Sequence, residues 1–148
     1  MDSGTCGAPP GSCDLNRPEG LVFGPDGNMY VTSFKNFDDA NSVDKILIFN
    51  GKTGQFLYQI ALWQPEPGAN RAFAQALLFG PGGDLYVPIT GGSPETTGEL
   101  RVYHLTTKMF TLLAKAGGPL QQPFYLTFCG TNPATLAYKL LPHCACGQ

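Results

Sequence analysis

Short apolar runs alternate with dense clusters of turn formers along most of this chain. Leu21, Val22 and Phe23 form the first such run. Gly24, Pro25, Asp26, Gly27 and Asn28 follow, and then Met29, Tyr30, Val31, Thr32 and Ser33, which are rich in β-branched and aromatic side chains. Proline presets φ for a turn, Gly27 can supply a positive φ, and Asp26 can bond its own backbone, so residues 21–33 predict a β-hairpin. A polar stretch, residues 35–44, reads as an exposed connection. Residues 45–49 are then a third strand, Asn50 to Gly54 a turn built on an Asn-Gly pair, and residues 55–62 a fourth strand. The third strand, with Ile46, Leu47, Ile48 and Phe49, is apolar at successive positions, so the predicted meander must be covered on both faces.

The pattern recurs. Residues 76–79, the turn Gly80-Pro81-Gly82-Gly83-Asp84 and residues 85–87 repeat the first hairpin, and Phe23 and Tyr30 have counterparts in Phe79 and Tyr86, each 56 residues later. Residues 91–98 read as the exposed loop, 99–105 as the third strand, 106–108 as the turn and 109–114 as the fourth strand. A third, weaker copy puts strands at 125–128 and 136–138 with a longer turn that has lost Gly-Pro-Asp-Gly. The resulting division is a Cys/Gly/Pro-rich leader at 1–17, a repeat domain at 18–141 with units at 18–62, 75–114 and 123–141, and a Cys-containing tail at 142–148.

The stretch PEGLVFGPDGNMYV and the later FNGKTGQFL resemble the NHL-type repeat of β-propellers, including the gluconolactonase-like group, in the style of secreted bacterial propellers. The second unit departs from that pattern at Gly82, where Asp is expected, and at Thr107-Lys108. The resemblance implies an all-β fold of four-stranded antiparallel blades, two complete and one half complete. Propellers close with about four to eight blades. Three arrangements meet the shortfall: the chain is a piece of a longer protein, several copies close a ring, or a strand from another molecule completes the half blade. The last is a head-to-tail contact that gives a ring or a filament.

Composition narrows the function. Charged residues are 14% of the chain, against roughly 25% in typical soluble domains, with 19 Gly and 13 Pro. A net charge of −2 without a Lys/Arg cluster argues against nucleic acid as a partner, and no apolar run approaches the roughly 18 residues of a membrane-spanning helix. Of the five cysteines, Cys6 and Cys13 sit in the leader, Cys144 and Cys146 in the tail, and Cys129 after the start of the third unit. This placement points to disulfide use and an extracellular setting, with the odd thiol free or bonded to another chain.

Candidate chemistry is sparse. The propeller resemblance places a site at the entrance to the innermost strands, here Glu19, Gln75 and Phe124, with Asp38, Asp39, Asp44 and Glu99 farther out. No metal site and no cofactor is expected: Glu19 reads first as a solvated turn residue beside Arg17 and is the candidate ligand if a divalent cation such as Ca²⁺ is bound, and His143, Cys144 and Cys146 read as disulfide-bearing before they read as zinc ligands. Asp38, Asp39 and Asn41 read as a solvated loop. His104 reads as an outer-strand residue and His143 as part of a disulfide-bearing tail, not as catalytic bases. No phosphate loop, nucleophile elbow or N-glycosylation acceptor occurs. The expectation is a non-catalytic extracellular module that binds or self-assembles, with a piece of a metal-dependent propeller lactonase or lyase as the alternative.

Overall fold

The computed structural model describes residues 14–63, 71–91 and 98–141. Among these residues the protein is all-β, with two antiparallel sheets. The first sheet is a meander of β1 (Leu21–Phe23), β2 (Met29–Ser33), β3 (Lys45–Phe49) and β4 (Phe56–Ala61), in that spatial order. Its boundaries lie within a residue of those read from the sequence. The second sheet contains β5 (Ala72–Phe73), β6 (Leu78–Phe79), β7 (Leu85–Gly91), β8 (Glu99–Tyr103) and β9 (Phe110–Ala114). Both β5 and β6 pair with β7, one at each end, and β8 and β9 follow outward.

The turns work as their residues dictate, with one change. Gly27 has φ +77°, the amide of Gly24 donates to the carbonyl of Asn28 at 2.8 Å, and Asp26 Oδ1 accepts from the Asn28 amide at 3.1 Å. Pro81, Gly82 and Gly83 make a single 3₁₀ turn in the second hairpin. In the β3–β4 turn the left-handed residue is Gly54, at φ +72°, rather than Gly51. Asn50 supplies the turn instead, its Oδ1 accepting from the amides of Lys52 and Thr53, both at 3.0 Å. Gly51 is needed for closeness, because a Cβ there would run into the carbonyl oxygen of Gly27 in the neighbouring hairpin.

The second unit differs from the first along its inner edge. The Thr32 amide donates to the Gly20 carbonyl at 2.9 Å, extending the β1–β2 pairing. The matching residue, 56 positions on, is Pro88, which has no N–H to offer. The inner partner of β7 is accordingly split, with β6 covering Leu85 and Tyr86 and β5 covering Thr90 and Gly91. The two-residue β5 was not expected, and β7 runs four residues beyond the predicted 85–87.

One other expectation needs correction. Residues 125–128 and 136–138 form no strands; the third unit holds only a bridge between Thr131 and Tyr138 around a turn at Asn132. Without the Gly-Pro-Asp-Gly turn and without a third strand to pair with, two short apolar runs cannot sustain a ladder. The described part of the leader packs against the first sheet. The Ser33 hydroxyl donates to the Asp14 carbonyl at 2.6 Å, the Phe34 amide donates to the Asn16 carbonyl at 2.8 Å, and Lys45 pairs with Asp14 at 3.5 Å.

The main core lies between the sheets, where Val22, Tyr30, Ile46 and Ile48 of the first meet Leu77, Phe79, Leu85, Val87 and Tyr103 of the second. A smaller cluster, Val31, Leu47 and Phe49 with Leu15, Met29 and Phe56, occupies the opposite face of the first sheet. Thus β3 is buried on both faces, as its unbroken apolar sequence requires.

Candidate functional site

The inner edges of the three units face one another, and the candidate residues can be followed along this line. Glu19 and Gln75 occupy matching positions 56 residues apart, and Gln75 Nε2 donates to Glu19 Oε2 at 3.0 Å. The other end of that amide, Gln75 Oε1, is buried without a hydrogen-bond partner. Both residues border a cavity of about 210 Å³ whose remaining lining, including Leu21, Leu77, Tyr125 and Leu136, is mostly apolar. Phe124, the third expected position, is not among the residues lining it.

Farther along the same edges, the hairpin ends meet through aromatic rings. Phe79 of the second unit stands edge-on to Tyr30 of the first, with centroids 5.1 Å apart, and Phe128 stands edge-on to Tyr86 at 4.8 Å. Each contact lies over a glycine. A Cβ on Gly24 would come within 2.9 Å of both Phe79 and Tyr30, and one on Gly80 within 2.7 Å of both Phe128 and Tyr86. These glycines were read as turn residues, but their small size also lets the following unit's ring seat itself. The two joints obey one rule: a phenylalanine from one unit fills a glycine–tyrosine socket on the unit before it.

Most of the remaining acids are committed to holding the chain together, whereas Asp38 is exposed and takes part only through its amide, which donates to Asn36 Oδ1 at 3.0 Å. Asp44 is fully buried and accepts from Arg71 Nε and Nη2, both at 2.6 Å, from Trp63 Nε1 at 2.9 Å and from the Lys35 amide at 3.1 Å. Arg71 leads into β5, so this pair ties the two sheets together. Its guanidinium also lies 4.7 Å from the Phe73 centroid and 5.3 Å from that of Phe37. Nothing in the sequence marks Arg71 as Asp44's partner across 27 residues. Glu99 pairs with Arg101 at 2.8 Å, and Asp84 with His104 Nδ1 at 3.0 Å. Asp39 Oδ1 accepts from the Asn41 amide at 2.9 Å, a turn-stabilising role in an exposed loop.

Three phenols are pushed above their ordinary range. Burial is the main cause for Tyr30, assisted by hydrogen bonding with Tyr58 and by Asp26, to which the Tyr30 hydroxyl donates at 2.9 Å. Burial also dominates at Tyr103, where nearby Arg101 works in the opposite direction, and at Tyr86. None of these groups faces a nucleophile or a converging set of ligands. Among the described residues no three His, Cys, Asp or Glu side chains gather where they could hold a metal. Cys129 is the one cysteine within them and is not a free thiol. Cys6, Cys13, Cys144, Cys146 and His143 lie outside the described residues.

No protein-family model, curated protein or solved structure matches the chain.

Proposed function

We propose that this protein is a non-catalytic extracellular module of the β-propeller type that works by binding or self-assembly through its open sheet surfaces. The observation that carries the reading is the contrast between its polar and apolar groups. The buried carboxylate and the acids nearest the sheets are occupied by internal partners. Large apolar side chains, in contrast, stand exposed on the first and third units: Leu21 and Phe23 on the first, and Tyr125 and Leu140 on the third. A chain with so little surface charge gains by covering such positions. The outer strand β9 adds an edge, exposed along most of its length, that can accept another strand. The extracellular assignment rests on cysteines concentrated toward the two ends of the sequence.

The test is the assembly state of the purified protein, by light scattering and electron microscopy in reducing and non-reducing buffer. Concentration-dependent association is expected in both buffers, and a monomer at every concentration in both would refute self-assembly.

A second reading, part of a metal-dependent propeller lactonase, draws on the contact between Glu19 and Gln75 and on the unpartnered Gln75 carbonyl. Those two side chains supply two or three oxygen donors, whereas Ca²⁺ takes about six to eight. The donor set does not fit by itself. Stoichiometric metal in the purified protein, lost in Glu19→Gln together with lactone turnover, would establish the second reading over the first.

A further inference from the structure

The third unit is the least supported part of the described fold. A bridge pairs Thr131 with Tyr138, closed by hydrogen bonds from the Asn132 amide to the Ala137 carbonyl and from the Lys139 amide to the Gly130 carbonyl, both at 2.9 Å. Phe128 anchors the unit on Tyr86, and the Thr90 hydroxyl donates to the Pro123 carbonyl at 2.9 Å. Most of its other side chains are exposed, among them Tyr125, Leu140 and Leu141. A segment with so little burial needs a further constraint to hold one conformation, and a crosslink across a short loop supplies one.

Cys129 stands next to that bridge. It is exposed at the surface yet is not a free thiol. The four other cysteines, Cys6, Cys13, Cys144 and Cys146, lie outside the described residues. The antiparallel register sets Gly130 against Lys139 and so directs the chain after Lys139 back alongside Cys129. Cys144 follows Lys139 by five residues and Cys146 by seven. Five residues of extended chain span up to about 17 Å, well beyond the roughly 4.4–6.8 Å between the Cα atoms of a disulfide. The leader, in contrast, joins the fold at Asp14, whose partners Ser33, Ser42 and Lys45 all belong to the first unit. Loop closure points the same way. Cys129 is 15 and 17 residues from the tail cysteines and 116 and 123 from those of the leader, and the shorter loop closes more readily by about 20-fold.

We propose that Cys129 is bonded to a tail cysteine, Cys144 or Cys146, and that this disulfide makes the order of the third unit depend on redox conditions. The bond forms by exchange with a small-molecule disulfide. The Cys129 thiolate attacks one sulfur and releases a thiolate, and the tail thiolate then displaces the second. The two cysteines lose two electrons and two protons, and the small disulfide is reduced to two thiols. Exposure of Cys129 leaves the bond open to the reverse reaction. Tyr138 borders a cavity of about 280 Å³ together with Phe23, and Tyr125 and Leu136 border the one that holds Glu19 and Leu21. Reduction therefore loosens the residues that share these cavities with β1. The pairing lies within one chain and is independent of the self-assembly reading.

The test is a tryptic map of the full chain, oxidised with glutathione disulfide and taken from the monomer band of a non-reducing gel. Trypsin separates residues 116–139, which hold Cys129, from 140–148, which hold both tail cysteines, and from 1–35, which hold both leader cysteines. Residues 116–139 are expected to travel joined to 140–148 until reduced. Finding them joined to 1–35, or alone, overturns the pairing. Hydrogen exchange tests the consequence. On reduction the amides of Asn132, Leu136 and Lys139 are expected to exchange about 100-fold faster, while those of β2 and β3 keep their rates. Cys129→Ser in oxidising buffer is expected to show the same fast exchange. Equal exchange in the oxidised and reduced wild type overturns the redox dependence.

Discussion

At the scale of single residues, small side chains and buried polar groups decide how the units meet. Gly24 and Gly80 are each hemmed in by two aromatic rings, so a methyl group there must displace a ring from a packed joint. Overpacking of this kind costs about 1–3 kcal/mol. Gly80→Ala is therefore expected to lower stability by that amount in urea denaturation, whereas alanine at the exposed Pro25 of the first turn is expected to change it little. Asp44 presents the opposite case, a buried charge satisfied from several directions. Asp44→Asn leaves the Arg71 guanidinium without its counter-charge, and breaking a buried pair in this way costs about 3–5 kcal/mol. Thermal unfolding of this variant is expected to begin well below that of the wild type.

Tyr30 and Tyr103 give these residue-scale contacts a pH dependence. A phenol is neutral when protonated, so a pKa raised in the folded state means that the folded protein holds the proton more tightly than the unfolded chain. The stability this confers is complete below the unfolded value of about 10 and is lost as pH rises through the folded value. Alkaline unfolding above about pH 10 is expected, with the two buried phenols ionising in the same step as the near-ultraviolet dichroism collapses. Separate, earlier ionisation of all six tyrosines, followed spectrophotometrically, would contradict it.

At the scale of elements, the turns were legible and the strand limits only partly so. Residues 21–33 and 45–61 fold where alternation, Asn-Gly and Gly-Pro-Asp-Gly place them, because hairpin chemistry is local and each strand has a neighbour five or six turn residues away or one loop back. Asn50 holds its turn through two amides, so Asn50→Ala is expected to cost about 1 kcal/mol, measured by denaturation, and to raise hydrogen exchange at Lys52 and Thr53. The split inner edge of the second sheet was present in the sequence at Pro88, but its meaning depended on knowing that Thr32, its counterpart, uses its amide to reach Gly20. The third unit failed as strands for a reason that no local pattern reports. A strand needs a paired neighbour, and residues 125–128 had only a weak one.

At the scale of the whole molecule, two sheets and a short third unit stack with the same joint used twice. Matched positions need not share burial in such an arrangement: Leu77 and Phe79 of the second unit are buried, whereas their counterparts Leu21 and Phe23 on the first are exposed. The proposed self-association through exposed apolar positions would depend on area and shape, with a smaller electrostatic contribution. Raising salt is therefore expected to weaken self-association only modestly, by about severalfold between low and physiological ionic strength, as followed by sedimentation velocity. A steep salt dependence would indicate that charge, not apolar contact, carries the association.

The sequence by itself determined the all-β character, the first meander almost residue for residue, and the 56-residue correspondence that pairs Phe23 with Phe79 and Glu19 with Gln75. These depend on turn residues and period-two alternation, which act over a few positions. Only the tertiary structure decided that Asp44 would take Arg71, that Gly24 and Gly80 would accept a ring from the next unit, and that Phe23 would be left outside. Each of these depends on which surfaces meet across dozens of residues, and burial between units is a property of the pair of surfaces rather than of either stretch of chain.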